Sequence, residues 1–87
     1  PKAERKRLQI VNAPHKSKGA KLIKLCDKIC NITDVMNNPP TDWSLERRKE
    51  YFDWAEQVVK ALGRDHLSLV WLFEKRIIEA RVKLGVK

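Results

Sequence analysis

Hydrophobic residues recur along this chain at spacings of three and four, as in helices, and no stretch shows the alternation expected of a strand. The pattern predicts four helices. The first covers residues 2–12, the second about 18–36 and the fourth 66–85, while the third starts after a cap among Thr41, Asp42 and Ser44 and ends at Gly63. The segments between them are short and carry Pro, Gly, Asn and Asp, which favour turns. The predicted fold class is therefore an all-α helical bundle.

The predicted helices have candidate capping residues at their starts. Ser17 can cap the second helix, which the NNPP sequence then ends. Thr41, Asp42 and Ser44 are alternative caps for the third helix, and the glycine of KALG ends it. Asp65 can cap the fourth helix.

The second predicted helix is apolar around most of its circumference, so we expect it to be central and buried. Its apolar residues are Leu22, Ile23, Leu25, Cys26, Ile29, Cys30, Ile32, Val35 and Met36. Cys26 and Cys30 are one turn apart, which would strain a disulfide, and no third Cys or well-spaced His completes a zinc site. They are predicted to be buried thiols. Trp43, Trp54 and Trp71 should anchor the core or helix junctions, and Trp43 could also line a pocket.

One stripe of this helix is polar. The residues that share it are Ala20, Lys24, Asp27, Asn31 and Asp34. A carboxylate on a buried helix needs a cation, several hydrogen-bond donors or a metal ion to offset its desolvation. Spacing alone leaves two interpretations of Asp27 open, a structural ion pair with a basic residue such as Lys24, or a metal ligand.

The net charge of the 87 residues is +8, and it is concentrated at one end. The first 24 residues contain eight Lys and Arg against one acid, Glu4. Such a concentration attracts polyanions, whether nucleic acid, anionic lipid or a nucleotide with several phosphates. The sign of the charge does not distinguish among these partners.

The sequence contains no apolar stretch of the roughly 18 residues that would span a bilayer, and its basic start lacks the apolar region of a signal peptide. We therefore predict a cytoplasmic protein with no membrane partner. The sequence begins at Pro1, already inside a helical pattern, so we expect these residues to belong to a longer polypeptide.

Several motifs resemble one enzyme family. The run AKLIKLCDKICNITDV is similar to a segment of the HD-domain phosphohydrolases of the RelA/SpoT hydrolase type, which reads A-K-L-x-K-L-A-D-K/R-L-x-N. PKAERKRLQ, APHKSKGAKL, WSLER and EYFDWAEQVVK look like the small alarmone hydrolases of this family, related to the metazoan SpoT homologue. The likeness extends to about Gly63, and Cys26 stands where the family usually has Ala. It implies the C-terminal part of an HD-domain fold.

The resemblance implies roles for five residues. Asp27 matches the last ligand of a manganese site, and Asn31 matches a residue that contacts the bound nucleotide. Lys2, Arg47 and Tyr51 fall where relatives present side chains to the phosphates and base of the nucleotide. An Arg fork and a Lys charge suit phosphate oxygens, and a Tyr ring can stack on a purine.

Residue type alone leaves alternatives open at these positions. Arg47 could be a solvated surface residue, and Tyr51 could lie half-buried at the edge of the core. Lys21, Lys24 and Arg48 are weaker candidates for substrate contacts. His15, in the loop beside the basic helix, could touch substrate, but a lone loop histidine is more often a surface residue.

The family's other metal ligands, a His and a His-Asp pair, and its catalytic Glu-Asp pair precede this region, and the chain contains none of them. Its histidines are His15 and His66, and His66 follows an Asp instead of preceding one. Residues 1–87 are thus predicted to be a single helical segment, the C-terminal portion of an HD domain whose upstream half is absent from this chain.

The implied function is that of a Mn²⁺-dependent hydrolase segment, a 3′-pyrophosphohydrolase acting on (p)ppGpp that is inactive without the upstream half. Its partners would be a phosphorylated guanine nucleotide and that upstream half. The alternative is a non-catalytic basic helical module that binds nucleotide or nucleic acid. An isolated segment of this size should also expose apolar surface, and self-associate or pack loosely.

Overall fold

A computed structural model describes residues 1–86 and contains four α-helices. Helix α1 spans Lys2–Asn12 and leads into a 3₁₀ turn at Ala13–His15, and then follow α2 (Lys18–Asn37), α3 (Leu45–Leu62) and α4 (Leu67–Lys83). These residues include no strand, and the predicted bounds of α1, α2 and α4 lie within two residues of the observed ones. Of the three caps left open for α3, the observed one is Ser44. The predicted all-α fold class is confirmed. None of the helices in residues 1–86 is long and apolar enough to cross a membrane.

Two of the helix starts have the predicted serine caps. The Ser17 hydroxyl accepts a hydrogen bond from the backbone N–H of Ala20 at 3.2 Å, and Ser44 accepts one from the N–H of Arg47 at 3.1 Å. These bonds satisfy backbone donors that have no partner within the helix. The prediction for Asp65 is wrong, because the N-cap of α4 is the next residue and it makes no side-chain cap bond.

Helices α2 and α4 lie side by side and run in the same direction. At their N-terminal ends His66 Nε2 lies 3.1 Å from the carbonyl oxygen of Lys18, and at their C-terminal ends Lys83 Nζ lies 3.5 Å from Asn37 Oδ1. The core consists of buried side chains from α2, α3 and α4, together with Ala13 after α1 and Leu84 and Val86 after α4. Its most fully buried large side chains are Phe52, Phe73, Ile32, Ile77 and Val58.

Helix α3 connects the α2–α4 pair to α1. Arg81 of α4 donates a hydrogen bond to Asp53 of α3 at 2.9 Å. The next residue of α3, Trp54, contacts α1, where its indole Nε1 donates to the backbone carbonyl of Lys6 at 3.2 Å. Helix α1 has no fully buried residue, so this bond and the partly buried Ile10 hold it against α3.

Helix α2 is less buried than predicted. Its fully buried residues are Leu25, Lys28 and Ile32, whereas the Ile23 side chain is 67% exposed. Cys26 and Cys30 are free but exposed, so the prediction of buried thiols is wrong. The physical reason is that α4 covers one flank of α2 and α1 with α3 covers another, while no element of residues 1–86 covers the remaining face. Helical periodicity had identified the apolar residues without indicating which of them have neighbours.

The fourth helix also exposes apolar side chains. Trp71 is 62% exposed, which contradicts its predicted role as a core anchor, and Ile78 and Val82 are exposed as well. The expected exposure of apolar surface is therefore confirmed. Self-association and loose packing stay predictions.

Candidate functional site

A groove of about 830 Å³ lies between α1, the middle of α2 and the start of α3. Four of the five predicted site residues line it, namely Lys2, Asn31, Arg47 and Tyr51. They come from three helices and are far apart in sequence, so the fold itself brings them together. Asp27 is not in the lining, although it lies one helical turn before Asn31 on α2.

Three aromatic rings form a row along the groove. The centroids of Trp43 and Tyr51 are 5.3 Å apart, and those of Tyr51 and Trp54 are 6.0 Å apart. Tyr51 and Trp54 are neighbours because they are three residues apart on α3. All three side chains are half-buried, and all three line the groove. Such a surface suits a flat heteroaromatic ring.

Cationic side chains lie over both ends of this aromatic row. The Arg47 guanidinium carbon is 4.9 Å from the Trp43 ring centroid. At the other end, Lys28 Nζ is 4.2 Å and Lys6 Nζ is 5.0 Å from the centroid of Trp54. Each distance is within the range of a cation–π contact. With Lys2, these side chains give the groove four cations against two carboxylates, Glu46 and Glu50.

None of the four cations has an ion-pair partner within residues 1–86. Lys28 is the most unusual of them, because its side chain is only 4% exposed. Burial lowers the pKa of Lys28, the positive charges of Lys24 and Lys6 lower it further, and Asp27 opposes them. Four unpaired cations around one groove are an arrangement that attracts a polyanion.

Tyr51 lies between the two cationic ends. Burial raises the pKa of its phenol above the ordinary value, and the negative charge of Asp34 acts in the same direction. The hydroxyl therefore stays protonated at neutral pH and can donate a hydrogen bond to an anion. The Gln9 side-chain oxygen at the groove wall is buried with no partner in residues 1–86, so it could accept a hydrogen bond from a ligand.

Asp27 is exposed, which contradicts its expected burial. It makes no ion pair with Lys24 or with another side chain in the structure as described. Its side of α2 is the face that no other element of these residues covers, and water can solvate the carboxylate there. Within residues 1–86 no three His, Cys, Asp or Glu side chains cluster as a metal ion would require. The residues present therefore do not fit a complete manganese site.

The sequence motifs did not identify the groove cations Lys6 and Lys28, and they indicated only a structural role for Trp54. Lys6 could have been found because it is one turn after Lys2 on α1 and shares its face. Lys28 gave no such signal, since a lysine on a helix usually keeps its ammonium in water. The prediction that Trp43 could line a pocket is confirmed.

The weaker candidates lie elsewhere. Lys21 Nζ is 3.9 Å from Asp65, and Arg48 donates to the backbone carbonyl of Leu84 at 3.3 Å. Lys24 lines a separate basic recess against α1. His15 is exposed and outside the groove, as expected for a surface residue.

Comparison with known proteins identifies relatives of the chain. No protein-family model matches it. It is 51% identical over 80 residues to the Mus musculus protein named guanosine-3′,5′-bis(diphosphate) 3′-pyrophosphohydrolase MESH1, which covers 87% of the chain and 45% of that protein. The Danio rerio protein of the same name is 45% identical over 84 residues, covering 97% of the chain and 47% of the relative. The Homo sapiens protein of the same name is 58% identical over 62 residues, a match that covers 71% of the chain and 35% of the relative.

The chain therefore spans less than half the length of these curated relatives. The resemblance predicted from its motifs is confirmed. The named activity is a property of the relatives, and the roles of Asp27, Asn31, Lys2, Arg47 and Tyr51 stay predictions.

Proposed function

We propose that this homologue of the MESH1 pyrophosphohydrolases binds a guanine nucleotide of the (p)ppGpp type in its groove and forms part of the site that hydrolyses it. The observation that carries the proposal is the convergence of Lys2, Asn31, Arg47 and Tyr51 on one groove with an aromatic floor and unpaired cations. In the proposed reaction the oxygen of a water molecule bonds to the phosphorus at the 3′ position, and the bond between that phosphorus and the 3′ oxygen breaks. Pyrophosphate is released, and the 3′ oxygen takes up a proton to become a hydroxyl.

The proposed roles follow from the chemistry of each side chain. The purine stacks on the aromatic row, where Tyr51 is central. Arg47 and Lys2 bind phosphate oxygens, the first through a planar fork of donors and the second as a point charge. The neutral Tyr51 hydroxyl and the Asn31 amide each supply a donor that can orient the nucleotide.

We also propose that Asp27 is one ligand of a Mn²⁺ ion whose other ligands come from outside this chain. A single exposed carboxylate cannot hold the ion, since such a cation takes about six oxygen or nitrogen ligands. An upstream half of an HD domain would supply the remaining ligands and the catalytic carboxylates. On this proposal the chain by itself binds nucleotide without hydrolysing it, in a cytoplasmic setting.

Calorimetric titration of the 87-residue chain with ppGpp and with GDP tests the binding proposal. We expect ppGpp to bind at least several-fold more tightly than GDP, because its additional diphosphate meets unpaired cations. Equal binding of the two nucleotides would contradict this. Tighter binding of a single-stranded RNA, with a steep decrease in affinity as salt rises, would instead favour the non-catalytic basic module.

A chimera tests the hydrolytic role. The chain would be fused to the portion of the Mus musculus relative that it does not match, and pyrophosphate release and bound manganese would be measured. We expect Asp27→Asn to remove both manganese and activity, and Asn31→Ala to retain the metal while turnover or substrate affinity falls. Full manganese occupancy with normal hydrolysis in Asp27→Asn would refute the metal-ligand role.

A further inference from the structure

We propose that Lys6 and Lys28, held against Trp54, form a second phosphate-binding subsite at the α1–α2 end of the groove, distinct from the Arg47 end. This inference rests on the proposed function, because it assigns the second phosphate-bearing group of the same nucleotide to these two lysines. The ligand class is a diphosphate. No residue of this subsite was among those implied by the sequence motifs.

The burial of Lys28 is the first argument. A lysine ordinarily keeps its ammonium in water, and burying that charge without a carboxylate disfavours the folded state. Lys28 is 4% exposed, lines the groove, and has no ion pair or hydrogen bond from its side chain in residues 1–86. Side chains that break a local stability rule in this way are commonly found at binding sites. A bound anion would offset the free-energy cost of burying the Lys28 ammonium.

The attachment of both lysines to Trp54 is the second argument. The Trp54 indole N–H donates to the backbone carbonyl of Lys6, which fixes α1 against α3 at this point. The centroid of the same ring lies 4.2 Å from Lys28 Nζ and 5.0 Å from Lys6 Nζ. Both ammonium groups are thus held against one indole before any ligand arrives, and the positive charge of Lys6 lowers the pKa of Lys28. Preorganised cations of this kind bind a multiply charged anion without further ordering.

The position of the pair is the third argument. Trp43 and Trp54 lie on either side of Tyr51 in the aromatic row. Arg47 contacts the ring of Trp43, and the two lysines contact the ring of Trp54. A purine stacked at the centre of this row would have cations at both ends. A nucleotide with phosphates on two different ribose positions can contact both ends, whereas a nucleotide with one phosphate chain can contact one.

Titration with inorganic pyrophosphate tests the subsite directly. We expect Lys28→Met and Lys6→Met each to lower the affinity for pyrophosphate about tenfold, the loss typical of a charged hydrogen-bond partner. Lys75→Met is the matched control, because Lys75 Nζ also lies near a tryptophan ring, 5.4 Å from the Trp71 centroid, but outside the groove. The control should retain the affinity of the unmodified chain. Equal affinity in all four proteins, no binding to the unmodified chain, or a loss in Lys75→Met alone would overturn the proposal.

Thermal unfolding separates binding from a purely structural role. If Lys28 serves the anion, Lys28→Met should leave the melting temperature unchanged or raise it, since an unpaired buried charge is removed. A lower melting temperature with unchanged affinity would show a structural role and overturn the proposal. Lys6→Met keeps the test decisive if Lys28→Met fails to fold, because Lys6 is only partly buried.

Comparison of ppGpp with GDP separates this inference from the proposed function. In the unmodified chain the preference for ppGpp should be several-fold, and in Lys28→Met it should fall to nearly one. If the preference survives in Lys28→Met, the subsite is refuted while the nucleotide-binding function stands. If pyrophosphate binding depends on Lys28 but no guanine nucleotide binds better than pyrophosphate, the subsite stands and the proposed function fails.

Discussion

The groove differs from the seam between α2 and α4, which is the contact that includes Thr33, Asn37, Arg76 and Lys83. Both regions contain cationic side chains, but these are hydrogen-bonded in the seam and unpaired in the groove. In the seam, Arg76 donates to the Thr33 hydroxyl at 2.7 Å, and Lys83 contacts the Asn37 amide oxygen. In the groove, none of the four cationic side chains has a hydrogen-bond or ion-pair partner within the described residues. Hydrogen-bonded groups at a contact between helices stabilise the fold, whereas unpaired cations around a groove favour the binding of an anionic ligand.

Helix α2 takes part in both regions, which makes the contrast informative. Leu25 and Ile32 point into the core, while Lys28 and Asn31 line the groove and Thr33 faces α4. Because these residues lie within three turns of one helix, their different surroundings cannot come from local sequence preferences. They result from which neighbouring helix each side meets.

The largest expected effect on stability comes from removing a buried core side chain of α4. Phe73→Ala removes a ring that is 1% exposed and leaves a cavity, so we expect a loss of about 3–5 kcal/mol in the free energy of unfolding. That is a large share of the stability of a small domain. Trp71→Ala on the same helix is the control, since its side chain is 62% exposed and its removal should have a much smaller effect. Urea unfolding followed by circular dichroism measures both, and similar losses would show that α4 is packed differently.

Two arginine variants test the contrast itself. Arg76→Ala removes a paired side chain of the seam and should lower the free energy of unfolding by about 1 kcal/mol, with no change in affinity for ppGpp. Arg47→Ala removes an unpaired groove side chain and should do the reverse, with an affinity about tenfold lower and nearly unchanged stability. Chemical denaturation and calorimetry together give the two readouts. A stability loss in both variants, with no separation in affinity, would mean that pairing does not distinguish the two regions.

The sequence was sufficient to predict the helices and four residues that meet in the groove, for different reasons. Helix boundaries follow from local signals, such as Ser17 and Ser44 before apolar runs and Gly63 after one, where the observed φ of 85° suits glycine. Lys2 and Asn31 were found through motif resemblance. The exposure of Asp27 could not be predicted, because periodicity shows that a stripe is polar without showing what lies opposite it.

The buried lysine of the groove gives the next test, at alkaline pH. Burial lowers the pKa of Lys28, so the folded chain releases this proton at a lower pH than the unfolded chain, whose lysines titrate near 10.4. Stability should therefore rise as pH climbs from the folded pKa toward the unfolded value, while affinity for pyrophosphate falls over the same range. The difference between the unmodified chain and Lys28→Met isolates this residue from the other lysines. Parallel curves for the two proteins would contradict the prediction.

The smallest expected effect concerns a paired carboxylate outside the groove, at acid pH. The Lys49 ammonium, 2.9 Å away, holds the pKa of Asp53 below its usual range, and the Arg81 guanidinium acts in the same direction. Because the folded-state pKa lies below the unfolded value of about 3.9, this contribution is present above that value and is lost as pH falls through the folded pKa. Solvent screens the pair, since the Asp53 side chain is 41% exposed, so the change should be well under that of Phe73→Ala. Asp53→Asn should flatten the part of the stability curve below about pH 4 without altering nucleotide affinity. A loss of nucleotide affinity in Asp53→Asn would show that the paired and unpaired regions are coupled, since Asp53 contacts Arg81 of α4 and lies on the same helix as Tyr51 and Trp54.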